Sequence, residues 1–377
     1  MEIQQLITME RKPNLTVFTG TKAMFIKLVP LVLEFKQRGW PYRIIDTGQH
    51  AELVSHIIEQ FGLSKPDISL DPGQEGVSTL TGGMRWMLRL FLYLLRGRNR
   101  LKEILFKGQE GIAFIHGDTM STLLSCLIAK RAGQKVVHVE AGLRSFNYLH
   151  PFPEEICRVL TMRMADHLFA PSKGAFENLQ RMGLSGKSHL LSGNTNLDTM
   201  ALTMKTPHGQ IPELPDGYSL ATIHRVETIY SRKRLQAVVD TLLEAHMRAP
   251  VIFIQHPPTV KRLRKYGFDR KLEDAGITGL PLLDHARFLR VLKEAKFVIT
   301  DGGSIQEEAS YLGTPCLLLR KTTERDEGLC ENVILSRMDR EIILDFLDNF
   351  EDYRTEDRSQ SEVSPSTEIA DIINGFR

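Results

Sequence analysis

Short runs of β-branched and other apolar residues alternate along the chain with longer stretches in which apolar residues recur every three or four positions. The short runs predict strands at 15–19, 42–46, 112–116, 135–140, 167–170 and 189–191, then at 220–224, 251–255, 281–283, 296–300 and 316–319. The longer periodicity predicts helices over 23–37, 51–61, 119–132, 153–164, 174–182, 232–247, 285–294 and 305–312. Strand, helix and strand at this spacing specify right-handed βαβ units and parallel sheets, an α/β fold. Runs such as Ala113-Phe-Ile-His116 are apolar at successive positions, as strands covered by helices on both faces require. The alternation pauses over 203–217, which carries Pro207, Pro212, Pro215 and two glycines. This predicts two Rossmann-like domains, 1–192 together with 360–377, and 193–359. A polar stretch over 351–367 precedes 368–376, where Ile369, Ile372 and Ile373 share a helical face. A last helix in that place is expected to return to the first domain.

Composition narrows the class. A chain of 377 residues suits two domains, and 42% apolar with 25% charged residues excludes disordered and fibrous classes. The net charge of +2 argues against a protein that coats nucleic acid. No apolar run reaches the ~18 residues of a membrane-spanning helix. The first fourteen residues, MEIQQLITMERKPN, lack the apolar core of a leader, which favours the cytoplasm. Cys126, Cys157, Cys316 and Cys330 are far apart, the pattern of reduced thiols, with neither a disulfide framework nor a zinc site. The total hides local fields. Over 85–107 there are seven basic residues against Glu103 alone, a local +6, whereas 339–358 carries −5.

Polar clusters stand where predicted strands give way to helices, the edge at which open α/β sheets bind ligands. Gly20-Thr-Lys-Ala-Met-Phe-Ile-Lys27 offers a tight turn, a helix N-terminus for an anion, and the charges of Lys22 and Lys27. It matches neither the dinucleotide fingerprint nor a P-loop. Asp118 ends its strand as a base or as a cap for the next helix. Glu140, Arg144, Glu154, Glu155 and Arg158 crowd one strand end, loop and helix start. Carboxylates interleaved with arginines supply a general base and its tuning partner, or a structural ion-pair network. In the second domain, His224 and Arg225 follow a strand directly. Gly302, Gly303 and Ser304 precede a helix as a nest of N–H groups suited to phosphate, and Glu308 is placed to accept ribose hydroxyls. Arg320, Lys321 and Arg325 add positive charge. His116, Asp118 and His138 lack metal-ligand spacing, so no metal is expected.

Taken together, HGDT at 116–119, HVEAGLRS at 138–145, PEE at 153–155 with Arg158, SGNTNLD at 192–198, HR-x-E at 224–227, DGGSIQEE at 301–308 and TTER at 322–325 resemble the non-hydrolysing UDP-N-acetylglucosamine 2-epimerases. Their order and spacing match over about 17–335. The resemblance implies two Rossmann-like domains facing across a cleft in the glycosyltransferase-B manner, with the C-terminal helix returning to the first. It implies interconversion of UDP-GlcNAc and UDP-ManNAc through 2-acetamidoglucal, with no cofactor. By motif position, Asp118, Glu140 and Glu154 resemble the catalytic carboxylates, and His224 the residue that assists the UDP leaving group. Lys22, Lys27, Arg158, Arg225, Gly302, Gly303, Ser304, Glu308 and Arg325 would hold substrate, Arg158 by orienting the Glu154 loop. A homodimer is expected. The usual GTRPE turn is here Gly20-Thr-Lys-Ala-Met24, so Lys22 keeps a charge without an arginine's bidentate fork. The alternatives are a glycosyltransferase of the same fold and an epimerase for a UDP-diacetamido sugar. One feature lies outside the resemblance: Arg85, Arg89 and Arg96 share a helical stripe beside the apolar run 86–95, the pattern of an interfacial helix. The 84–107 segment is therefore a candidate peripheral membrane contact at the inner face, with a packing or dimer helix as the alternative.

Overall fold

The structure, a computed structural model, describes residues 14–71, 80–148, 152–206, 209–359 and 363–376. Residues 1–13, Pro151, Pro207 and residues 360–362 of the polar 351–367 stretch fall outside these residues. The chain divides into two compact units, Met1–Thr199 with Val363–Arg377, and Met200–Glu362.

The first unit holds seven strands: β1 (Leu15–Thr19), β2 (Tyr42–Asp46), β3 (Ile68–Ser69), β4 (Ile112–His116), β5 (Lys135–Val139), β6 (His167–Ala170) and β7 (Ser188–Leu190). They form one parallel sheet in the order β3-β2-β1-β4-β5-β6-β7. The second unit repeats the scheme with β8 (Ser219–Thr222), β9 (Val251–Gln255), β10 (Thr278–Pro281), β11 (Val298–Thr300), β12 (Cys316–Leu318) and β13 (Val333–Leu335). Their order is β10-β9-β8-β11-β12-β13, again parallel. Both are doubly wound sheets whose order reverses once, between β1 and β4 and between β8 and β11.

Helices cover both faces of the first sheet, which is why its strands are apolar throughout. On one face Phe25, Leu28, Val32 and Phe35 of the helix Lys22–Gln37 pack with Ile44, Phe114 and Val137. On the other, Trp86, Leu90, Leu105 and Ile128 pack with Phe18 and Ile115. The C-terminal helix Pro365–Asn374 lies on the helix Lys22–Gln37 and buries Ile369, Ala370 and Ile373 in the first core. Arg38 pairs with Asp371 at 2.7 Å, the amide of Ser366 donates to Asp198 at 2.8 Å, and Phe376 stacks on His167 with ring centroids 3.8 Å apart. Cys126, Cys157 and Cys316 are buried thiols.

Several expected boundaries move. The tenth strand lies at Thr278–Pro281 and not at 281–283, because Asp284 caps the helix His285–Glu294 and draws 282–284 into its approach. The helix Asn196–Lys205 runs into the expected pause. The final helix begins at Pro365 because Ser364 caps it by accepting the Thr367 amide. Within the acidic 339–358 stretch Asp339 caps a helix, Arg340–Asn349, that buries Ile343, Phe346 and Leu347. Its charges hid an apolar stripe only three residues wide. β3 and β13, of two and three residues, are too short to leave a periodic signal.

The clasp of the last helix is testable. Ile369 is fully buried, so Ile369→Ala is expected to cost about 2–5 kcal/mol. A urea melt showing less than half a kilocalorie of loss would show that this helix contributes little.

Candidate active site

Both sheets place their polar clusters at the reversal of strand order. In the first unit β1 and β4 diverge there. Beyond β1, Gly20 leads into the helix Lys22–Gln37, capped by the Thr21 hydroxyl, which accepts the Met24 amide. A β-carbon on Gly20 would lie 2.5 Å from both Ser121 Oγ and Thr47 Oγ1, so the chain passes here only without a side chain. Lys22 is exposed at the start of this helix. Beyond β4, Thr119 rather than Asp118 caps the next helix, accepting the Thr122 amide, which leaves the Asp118 carboxylate for other work.

That carboxylate meets Arg158 Nη2 at 2.5 Å. Arg158 also reaches Glu155 Oε2 at 3.3 Å, and Glu155 accepts Arg144 Nε at 2.5 Å and the Ser145 amide at 3.0 Å. Burial would raise the Glu155 pKa, but the Arg144 and Ser145 hydrogen bonds and the two guanidinium charges outweigh it and hold Glu155 below the usual carboxylate range. The crowded motif therefore splits. Glu155, Arg144 and Arg158 form the ion-pair network, and Arg158 fixes Asp118. Glu154 stands apart at the first position of the helix Glu154–Met164, and its Oε2 takes no hydrogen bond from any described residue.

Glu140 follows β5 with φ at 64°, a left-handed conformation that costs a non-glycine residue on the order of 1–3 kcal/mol. It is held there by Lys27 Nζ at 2.7 Å and Asn194 Nδ2 at 2.6 Å, both on Oε1, while Oε2 faces His116 Nδ1 at 3.9 Å. Lys27 is thus buried against Glu140, whereas Lys22 faces solvent. Asn194 is a site residue to which its motif had given no role. An asparagine beside a turn reads as loop chemistry, and only the fold brings it to a carboxylate 54 positions away. His138 is fully buried, and its Nε2 bonds the Gly117 carbonyl at 2.7 Å, bracing the turn that carries Asp118.

In the second unit the groups gather where β8 and β11 diverge. Asp301, fully buried after β11, accepts the amides of His224 at 3.0 Å and Arg225 at 3.1 Å. Its Oδ1 lies 3.7 Å from His224 Nδ1. Asp301 therefore orients His224, a role that its place in the DGGS run did not disclose. Arg225 pairs with Glu227 beside it. Gly302 caps the helix Gly303–Leu312, whose first turn contains Gly303 and Ser304. A β-carbon on Gly302 would stand 2.6 Å from His224 Cε1, so glycine is what lets the ring approach this helix start. Arg325 packs at Gly303 and pairs with Glu307 Oε2 at 3.1 Å. Glu308 accepts His285 Nε2 at 2.9 Å. One cradle thus joins a helix N-terminus, an imidazole and a guanidinium, the means to hold a diphosphate and to stabilise its charge on departure. No group of three or more His, Cys, Asp or Glu side chains suited to a metal occurs among the described residues.

The sequence model of the UDP-N-acetylglucosamine 2-epimerase family matches residues 34–366. The chain belongs to that family. It is 32% identical over 328 residues to the UDP-N-acetylglucosamine 2-epimerase of Methanocaldococcus jannaschii, covering 83% of this chain and 85% of that protein. It is also 32% identical over 314 residues to a UDP-2,3-diacetamido-2,3-dideoxy-D-glucuronate 2-epimerase of Pseudomonas aeruginosa, covering 81% and 82%. The solved structure of the Methanocaldococcus jannaschii UDP-GlcNAc 2-epimerase is similar at a TM-score of 0.77 with 28% identity, covering 96% of this chain and 99% of that one. A structure of that enzyme in complex with UDP-GlcNAc and UDP gives 0.75 with the same coverage. The family assignment and the two-sheet α/β architecture agree with what the motifs implied.

Burial lowers the His138 pKa to about 4, against the upward pull of the Gly117 carbonyl. A histidine depressed in this way stabilises the fold fully above its unfolded value of about 6.5, and that contribution is lost as pH falls towards 4. Stability is therefore expected to fall by on the order of 3 kcal/mol across that window. Urea melts at pH 7 and pH 4 should show a shallower fall for His138→Gln, and parallel falls for the two proteins would remove His138 as the cause.

Proposed function

We propose that this protein interconverts UDP-GlcNAc and UDP-ManNAc by eliminating UDP and adding it back through 2-acetamidoglucal. Family membership supports the reaction class, and the tethered carboxylates of Asp118 and Glu140, beyond the adjacent strands β4 and β5, with the open Glu154 oxygen at the start of the helix Glu154–Met164, are the observation that supports the mechanism. The C2 hydrogen of the sugar is not adjacent to a carbonyl, so direct deprotonation is hopeless. As the C1–O bond to diphosphate breaks, oxocarbenium character at C1 acidifies C2–H. A carboxylate takes that proton, the electron pair closes the C1–C2 double bond, and UDP leaves as the anion. Protonation of C2 from the opposite face and return of UDP to C1 complete the inversion, with no net redox change.

In this reading the trio handles the proton at C2. Glu140 is anchored by Lys27 and Asn194, and Asp118 by Arg158, whereas Glu154 keeps an oxygen open for a moving proton. His224, aimed by Asp301, and the N-terminus of Gly303–Leu312 take the diphosphate charge, with Arg225, Arg325 and Lys22 adding cations and Glu308 accepting from ribose. A homodimer working in the cytoplasm, where UDP-sugars are made, completes the proposal.

A second reading has a specific support: the relative named for a UDP-diacetamido sugar is as similar as the first UDP-GlcNAc enzyme. Incubation in D₂O with each UDP-sugar separates the two. The proposal expects deuterium at C2 of both UDP-GlcNAc and UDP-ManNAc, without an acceptor. Labelling of the diacetamido sugar alone would replace the substrate, and no labelling of any UDP-sugar would end the epimerase reading in favour of transfer. Asp118→Asn, Glu140→Gln and Glu154→Gln should each lower kcat by about 10²–10⁴, with the melting temperature little changed for Glu154→Gln and lowered for the other two, which leave the buried Arg158 and Lys27 charges unpaired. Gly302→Ala should displace His224 and lower kcat/KM by about 10²-fold. Wild-type kinetics in that variant would remove His224 from the chemistry.

A further inference from the structure

The helix Leu80–Leu94 turns two apolar faces in different directions. One is anchored in the first core: Trp86 and Leu90 are buried, and Trp86 Nε1 donates to the Thr47 carbonyl at 2.7 Å. The other faces away. Met84, Met87, Leu88, Phe91 and Leu92, continued by Leu95 just past the helix, recur at three- and four-residue intervals, and exposures reach 58% at Leu88, 50% at Phe91 and 65% at Leu95. So long a run of large apolar side chains on one outward stripe is not the ordinary scatter of surface leucines. The anchored face also fixes the orientation, so the stripe cannot turn inward without breaking the Trp86 bond.

Charge borders the stripe. Of the three arginines predicted to share one side, Arg89 is turned onto buried Asp71, while Arg85 remains exposed and the Arg96 guanidinium lies over the Tyr93 ring. Arg98 and Arg100 are exposed immediately beyond, with Ile104 exposed between them and Lys107. Arg85, Arg96 and Arg100 form no salt bridge among the described residues. No helix among the described residues is long and apolar enough to cross a membrane, so this element would lie on a surface.

We propose that this face docks the protein on an anionic lipid surface, the stripe entering the interface and the arginines engaging headgroups. Two physical requirements are met together: apolar side chains deep enough to leave water, and cations at their border. A second copy of this chain fits less well. A two-fold contact through the stripe would set Arg85, Arg96, Arg98 and Arg100 against their own image, a like-charge juxtaposition that must be offset before any apolar gain appears. The epimerase proposal neither requires this surface nor uses its residues, so either can fail alone.

The test uses the full-length protein and co-sedimentation with vesicles, of phosphatidylcholine alone or with about a third phosphatidylglycerol. One variant is Arg85→Glu with Arg96→Glu and Arg100→Glu, and the other is Leu88→Ser with Phe91→Ser and Leu95→Ser. Wild type should pellet with the anionic vesicles and not with the neutral ones. The arginine variant should partition about a hundredfold more weakly, from roughly a fivefold factor for each of its three basic residues, and the apolar variant at least tenfold more weakly, both with wild-type turnover of UDP-sugar or, should turnover be absent, wild-type melting temperature. Failure of wild type to pellet, or equal pelleting of all three, overturns the proposal. So does a fall from dimer to monomer mass by light scattering in the apolar variant with vesicle binding unchanged, which would make the stripe an interface between copies.

Discussion

Everything chemical in this chain hangs on the reversal of strand order within each parallel sheet. Crossover helices leave β1 and β4 on opposite faces of the first sheet, and β8 and β11 do the same in the second. At that point no helix covers the carboxyl ends of the strands, and the loops there are free to carry polar groups into a crevice. Gly20, Gly117, Asp118, His224, Asp301 and Gly302 all emerge at these two points. Strands buried on both faces can be apolar at nearly every position only because their polar burden is moved to the ends.

The polar groups so gathered are held by one another. Asp118 is fixed by Arg158, Arg158 by Glu155, and Glu155 by Arg144 and the Ser145 amide. Glu140 keeps a left-handed backbone because Lys27 and Asn194 tie its carboxylate from two other elements. Removing one member of such a network leaves a buried charge unpaired, which costs more than the pair itself contributes. The same logic runs through Asp301, whose two backbone bonds fix the start of the His224 loop while its carboxylate faces the imidazole. Rigid placement of charge, rather than any single unusual side chain, is what this arrangement offers to the proposed reaction, in which a proton and a diphosphate move.

Much of this was legible without a fold. The short continuous apolar runs and the 3.6-residue period located most strands and helices to within a few residues, because burial on both sheet faces or along a helix stripe imprints directly on composition. The strand-end positions of Asp118, Glu140, His224 and Gly302 marked them as site candidates before any contact was known. Elements with too few buried residues escaped, as β3, β13 and the helix Arg340–Asn349 did, the last because its charges outnumber Ile343, Phe346 and Leu347. Asn194 and Asp301 escaped for another reason: a hydrogen bond between residues 54 or 77 positions apart has no local signature.

The sequence by itself determined the α/β class, the family motifs and which residues carry charge at the strand ends, since each depends on periodicity or short-range order. Only the tertiary structure decided how those charges are spent. It assigned Glu155 to scaffolding and left Glu154 open, buried Lys27 against Glu140 while Lys22 stayed in solvent, and turned Arg89 inward while Arg85 faced out. Neighbouring or like residues took opposite fates in each case. The direction of a side chain is set by which elements pack around it, and that information is distributed over the whole domain.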